Sequence, residues 1–258
     1  MSVRRIGGGA IGCFAIPGWG EDAGSFSPLE EHLCGIATIY AADPPGYGSA
    51  PAPHRYTVDE ITARLENSYS AACEMHGDRL GIFLGNCSGA ILASELAMRV
   101  ASPPARLLLV DPFAFLPGYF RIFLKRGFGR HAYNSTFANP VGRWVTNQLV
   151  SGREERSTDM TGSFRVVDHE VTYRYLEMFG RIRGISRFRD LRSEVVIVTG
   201  ERTFAAVKRS IDMWQELWPH AHVATIPGCG HLPIKEAPGR LVSELILQRT
   251  AMCEASDA

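Results

Sequence analysis

Leu80-Gly81-Ile82-Phe83-Leu84-Gly85-Asn86-Cys87-Ser88-Gly89-Ala90 is the stretch from which the rest of the chain is read. An apolar run, Leu80 to Leu84, leads into Gly85-Asn86-Cys87-Ser88-Gly89. A small-residue helical pattern, Ala90 to Val100, leads out of it. Strand, sharp turn and helix, with a glycine two residues either side of a nucleophilic side chain, is the pattern of a nucleophile elbow. The turn forces its central residue into a strained backbone conformation, and only glycine neighbours let strand and helix pass closely enough. The usual centre is Ser; here it is Cys87. The head of a helix stabilises negative charge, which suits a thiolate nucleophile.

Outward from this stretch the chain alternates strands and helices. Ile11 to Ile16 reads as a buried strand ending in the turn Pro17-Gly18-Trp19-Gly20. Ala23 to Leu33 has helical spacing, and Gly35 stands where a helix closes. Ile36 to Ala41 is the next strand, followed by the loop Asp43-Pro44-Pro45-Gly46-Tyr47-Gly48. Thr57 to Met75 reads as a helix opened by a capping box, Thr57 with Glu60. After the elbow helix, Arg106 to Val110 is a strongly apolar strand that ends at Asp111-Pro112. Continuous apolar strands separated by helices imply a mostly parallel sheet covered on both faces. The rhythm stops after Pro112 and resumes with a strand over Glu194 to Thr199, a helix over Ala205 to Leu217, a strand over His222 to Ile226 and a last helix from about Pro238 to Met252. We therefore expect a core of residues 1–112 and 193–258 and a helical lid inserted at 113–192.

Composition narrows the function. The 258 residues carry 27 Lys/Arg and 27 Asp/Glu, so no global charge points to nucleic acid. No apolar stretch reaches the roughly 18 residues of a membrane span, and Gly7-Gly8-Gly9 interrupts any signal-peptide core after the basic start. The six cysteines form no close pairs and no metal-ligand spacing, which reads as reduced thiols in a cytoplasmic protein. His169 opens His169-Glu170-Val171-Thr172-Tyr173, not a two-His zinc helix, and no metal site is expected. His231 is different. It lies in Gly228-Cys229-Gly230-His231, just past the last apolar strand. Parallel strands place their C-terminal ends together, so this His comes to the same sheet edge as Cys87 and is the candidate general base.

Pro17-Gly18-Trp19-Gly20, the Asp43–Gly48 loop, the elbow, Leu109-Val110-Asp111-Pro112 and Pro227-Gly228-Cys229-Gly230-His231 together resemble the α/β-hydrolase superfamily over nearly the whole chain. The resemblance implies that fold, with an orienting acid between nucleophile and His in chain order. The commonest acid position follows the strand at 194–199, where Gly200-Glu201-Arg202-Thr203 has no Asp. Asp111, one strand beyond the elbow, reaches the same edge and is assigned as the acid, with Glu201 as the alternative. The resemblance also implies an oxyanion hole from the backbone amides of Ser88 and Trp19.

An acid in that position resembles the thioesterases of nonribosomal peptide and polyketide assembly lines. A Cys nucleophile resembles their acyl- and aminoacyl-transferring relatives. The implied activity is transfer of an acyl group from a carrier-protein thioester through acyl-Cys87, in secondary-metabolite biosynthesis. It implies no bound cofactor; phosphopantetheine arrives as part of the substrate, on an acyl or peptidyl carrier protein. The alternative is a small-molecule ester or lactone hydrolase with a Cys-His-Asp triad. Residues 112–192 hold fourteen Lys/Arg against seven Asp/Glu, a basic surface matched to an acidic partner. Arg121, Lys125 and Arg126 are the candidate carrier contacts. The acyl group, the acceptor, the oligomeric state and whether Cys87 replaces a native Ser stay open at this level.

Overall fold

The computed structural model describes residues 3–150 and 161–245. Seven strands form one sheet in the order β1-β3-β2-β4-β5-β6-β7. They are β1 (Val3–Gly7), β2 (Ile11–Ile16), β3 (Ala37–Ala42), β4 (Ile82–Asn86), β5 (Arg106–Val110), β6 (Glu194–Gly200) and β7 (His222–Ile226). All neighbours pair in parallel except β1, which runs antiparallel to β3 with Arg5 opposite Tyr40. This edge strand is absent from the pattern read above. Val3-Arg4-Arg5-Ile6 exposes both arginines and buries only Ile6, so it has the polarity of an edge rather than an apolar run.

Successive residues of the central strands face opposite layers. Leu107 and Leu109 pack with Phe14, Phe83, Val195 and Ile197 on one face, beneath α1 (Val58–His76) and α2 (Gly89–Arg99). Leu108 and Val110 pack with Ala15, Leu84, Val196 and Val198 on the other, together with Phe26, Leu29 and Ile234. Each fully buried Leu or Ile contributes roughly 1.5–3 kcal/mol. This double burial explains why the strands read as unbroken apolar runs. The segment read as a helix over 23–33 is a 3-10 helix, Ala23–His32, with Pro28 inside it. Proline has no N–H for the α ladder and collides with the preceding turn, so the tighter winding replaces it.

Among the described residues no strand lies between β5 and β6. The insertion runs through a 3-10 segment (Gly118–Leu124), α3 (Gly129–Tyr133), a π-helical turn (Asn134–Ala138), α4 (Pro140–Val150) and α5 (His169–Gly180). Arg153 and Arg156, counted in its basic charge, and the acids Glu154, Glu155 and Asp159 lie outside the described residues. Its own apolar cluster, Phe123, Tyr133, Phe137, Phe164, Tyr173 and Leu176, reaches the core through Trp19. Beyond β6 come α6 (Ala205–Leu217) and α7 (Pro233–Glu236), then a helical stretch at 238–245. No helix among the described residues is long and apolar enough to cross a membrane.

Candidate active site

β4 ends at Asn86 and α2 begins at Gly89, so Cys87 sits on the bend with φ +53°, a left-handed conformation that side chains rarely adopt. Its N–H donates to the carbonyl of Val110 at 2.8 Å. The flanking glycines allow this. A Cβ on Gly85 would stand 2.6 Å from the Ala90 Cα, and one on Gly89 would stand 2.4 Å from the Pro17 carbonyl oxygen. Cys87 is half-buried and borders a cavity. Cys13, by contrast, lies inside the sheet, where burial pushes its thiol well up.

His231 and Asp111 meet beside the elbow. Asp111, fully buried, turns the chain at the end of β5 with φ +43°. Its Oδ2 lies 2.9 Å from His231 Nδ1. Cys87 and His231 line the same cavity. The ring is held between Phe113 and Phe204, with centroids at 5.7 and 4.9 Å. Burial alone would drive the imidazole toward its neutral form. The hydrogen bond to Asp111 and the nearness of Cys87 outweigh it, and the pKa of His231 is raised well above its ordinary 6.5.

The carboxylate of Asp111 is saturated. Oδ1 accepts from Thr199 Oγ1 at 2.6 Å and from the Gly200 N–H at 3.2 Å, and Oδ2 also accepts from Thr203 Oγ1 at 2.7 Å. Thr203 Oγ1 lies 3.2 Å from His231 Nδ1 as well. Sequence reasoning passed over both threonines. The signal for Thr203 was present, because it stands in the loop where an acid was sought and not found. Glu201, the alternative acid, is exposed and turned away, accepting from the Gly228 N–H at 2.8 Å.

Trp19 and Ser88 face each other across the elbow. The Trp19 N–H donates to Ser88 Oγ at 2.9 Å, and its indole Nε1 donates to the Thr172 carbonyl on α5 at 2.8 Å. Ser88 heads α2, yet its hydroxyl makes no capping bond to that helix. Glu21 is a further residue not anticipated. Its Oε2 accepts from Asn86 Nδ2 at 3.0 Å and from the Gly18 N–H at 3.3 Å, and Lys235 Nζ lies 3.8 Å from Oε1. These bonds tie the Gly18–Trp19 loop to the elbow.

The cavity that opens from Cys87 and His231 measures about 500 Å³ and runs beneath the insertion between aromatic walls. Arg121, Lys125 and Arg126 are exposed on or just after the 3-10 segment, whose Tyr119, Phe120 and Phe123 line that cavity. Three other arginines of the insertion are paired with acids. Arg130 pairs with Glu170, Arg174 with Glu170 and Glu177, and Arg187 with Glu95. Among the described residues no group of three His, Cys, Asp or Glu is placed to hold a metal ion.

The chain is similar to known hydrolases in sequence and fold. Over 96% of its length the chain is 21% identical to the pimeloyl-[acyl-carrier protein] methyl ester esterase of Salmonella agona, covering 98% of that protein. A shorter match, 28% identical, joins 33% of the chain to 15% of the biotin biosynthesis bifunctional protein BioHC of Cellvibrio japonicus. Among solved structures, a thermophilic esterase from Thermogutta terrifontis superposes with a TM-score of 0.73 at 17% identity, covering 97% of this chain and 93% of that one. An esterase from Exiguobacterium antarcticum gives 0.70 at 12% identity, with 95% and 94% covered. The sequence profile of the Alpha/beta hydrolase family matches residues 14–245, and with its parallel sheet, its elbow and its strand-end histidine the chain belongs to that family.

Proposed function

We propose that the protein is an acyl-transfer enzyme that takes acyl groups from carrier-bound pantetheinyl thioesters through an acyl-Cys87 intermediate. The observation that carries this reading is the convergence on one cavity of Cys87, on the strained elbow, and a buried His231 held by Asp111 at 2.9 Å. In this reading the Cys87 thiolate attacks the thioester carbonyl while the oxyanion takes hydrogen bonds from the Trp19 and Ser88 amides. The C–S bond to pantetheine then breaks, and the departing thiolate takes the His231 proton. In the second half His231 removes a proton from the acceptor, a thiol, amine, hydroxyl or water, whose attack releases Cys87. Asp111 keeps the imidazole oriented and stabilises its charge. Exchange of one thioester for another is close to thermoneutral, which favours a cysteine over a serine in a transferase.

The partner is an acyl or peptidyl carrier protein, with phosphopantetheine entering as part of the substrate. Two observations support it. The Salmonella relative is named for an ester of an acyl carrier protein, and exposed Arg121, Lys125 and Arg126 border the cavity-lining segment. That same name gives weight to a second reading, hydrolysis of an ester by the Cys87-His231-Asp111 set. One experiment separates them. The protein is incubated with an acyl-carrier thioester and a second, unloaded carrier, and both are followed by intact mass. Acyl transfer predicts an adduct on Cys87, absent in Cys87→Ala, and label on the second carrier. Turnover of free esters with no adduct from the carrier thioester would favour the hydrolase.

A further inference from the structure

We infer that the acyl group carried on Cys87 is apolar and uncharged to its end, and that acyl chains ending in a carboxylate are excluded. The inference rests on the acyl-Cys87 reading and concerns what the cavity holds. The walls include Phe120, Phe137, Phe164, Leu176, Phe179 and Ile182. Among the described lining residues there is no Arg or Lys. The one carboxylate among the described lining residues, Glu21, is fixed beside the elbow by Gly18, Asn86 and Lys235, so a carboxylate chain bound in the cavity would share it with another negative group.

Two of the cavity hydroxyls are already committed. A carboxylate needs donors, because it is acceptor-only when ionised. Two cavity threonines spend their protons on their own helices: Thr136 Oγ1 donates to the Ala132 carbonyl and Thr146 Oγ1 to the Gly142 carbonyl, each at 2.9 Å. They offer lone pairs and methyl groups to the cavity. An apolar chain meets surface that gains from its burial, whereas a terminal carboxylate loses its water without an ionic partner.

The test uses three pantetheine thioesters of matched chain length: octanoyl, suberyl with a free terminal carboxylate, and the monomethyl ester of suberyl. Acylation of Cys87 is read by intact mass and by release of pantetheine thiol. Octanoyl and the methyl ester should acylate within about tenfold of each other, and suberyl at least about 10³-fold more slowly in kcat/KM. Suberyl within tenfold of octanoyl would overturn the inference while leaving acyl-Cys87 intact. Acylation by none of the three would instead overturn the acyl-Cys87 reading and this inference with it. Thr146→Arg places a cation on the wall from a partly exposed helix position. It should lower the octanoyl-to-suberyl ratio at least tenfold, and an unchanged ratio would count against charge as the basis of exclusion.

Discussion

Asp111 Oδ2 lies 2.9 Å from Nδ1 of His231, although the two residues are 120 positions apart and the acid stands on the strand beside the elbow rather than on the next one. Thr203, in the loop after that next strand, reaches both partners, at 2.7 and 3.2 Å. A carboxylate at position 203 is therefore expected to reach the same histidine. Asp111→Asn should lower kcat for thioester turnover by about 10²-fold or more, since the imidazolium loses its counter-charge. Adding Thr203→Asp to that variant should restore at least about tenfold of the loss. Steady-state kinetics of the wild type, both single variants and the pair measure this directly, and a pair no better than Asp111→Asn would show that position 203 cannot hold the acid.

The proton on His231 links the site to stability. Desolvation pulls its pKa down, but the Asp111 hydrogen bond and the nearness of Cys87 raise the folded value well above the unfolded 6.5. The fold then binds more protons than the unfolded chain between those two values, so stability falls as pH rises through that interval. The contribution is fully present below 6.5 and is lost as pH passes the folded pKa. Thermal unfolding of wild type and His231→Gln from about pH 6 to about pH 9 should show the wild type losing stability faster. Parallel curves would mean that His231 does not carry this proton.

Much of the site could be read from the chain because its positions are set by topology. Parallel strands that are apolar on both faces place Cys87, Asp111 and His231 at one edge whatever the details of packing. What could not be read depends on contacts made across the fold. Thr203 is an ordinary loop hydroxyl until Asp111 is beside it, and Glu21 is a surface-type acid until Gly18 and Asn86 donate to it. The β1 strand escaped because exposed Arg4 and Arg5 mask its alternation. The winding of residues 23–32 escaped because apolar spacing reports which side is buried, not which hydrogen bonds form.

Gly89 offers a sharp test of the elbow. A Cβ there would stand 2.4 Å from the Pro17 carbonyl oxygen and 2.5 Å from that of Ile16, both backbone atoms on the strand and loop leading to Trp19. Gly89→Ala should cost about 1–3 kcal/mol in denaturant unfolding, as overpacking does, and should lower kcat because the loop bearing the Trp19 amide must move. Gly81, where an added Cβ meets nothing within 4 Å, is the control. Gly81→Ala should change stability by no more than about 0.5 kcal/mol.

In the proposed mechanism an oxyanion uses the Trp19 N–H, which Ser88 Oγ accepts in the structure. The developing charge must take that donor from the hydroxyl, and the hydroxyl gains nothing from its own helix, where it makes no capping bond. Breaking one neutral hydrogen bond on the way to the tetrahedral state costs about 0.5–1.5 kcal/mol. Ser88→Ala removes the competitor and keeps both backbone amides. Its acylation rate by an octanoyl thioester, measured in a single turnover, should rise about two- to tenfold. The opposite result has a distinct scale, because loss of a true oxyanion donor slows turnover about 10²- to 10³-fold. A fall of that size would mean that the Ser88 hydroxyl turns its own proton toward the oxyanion.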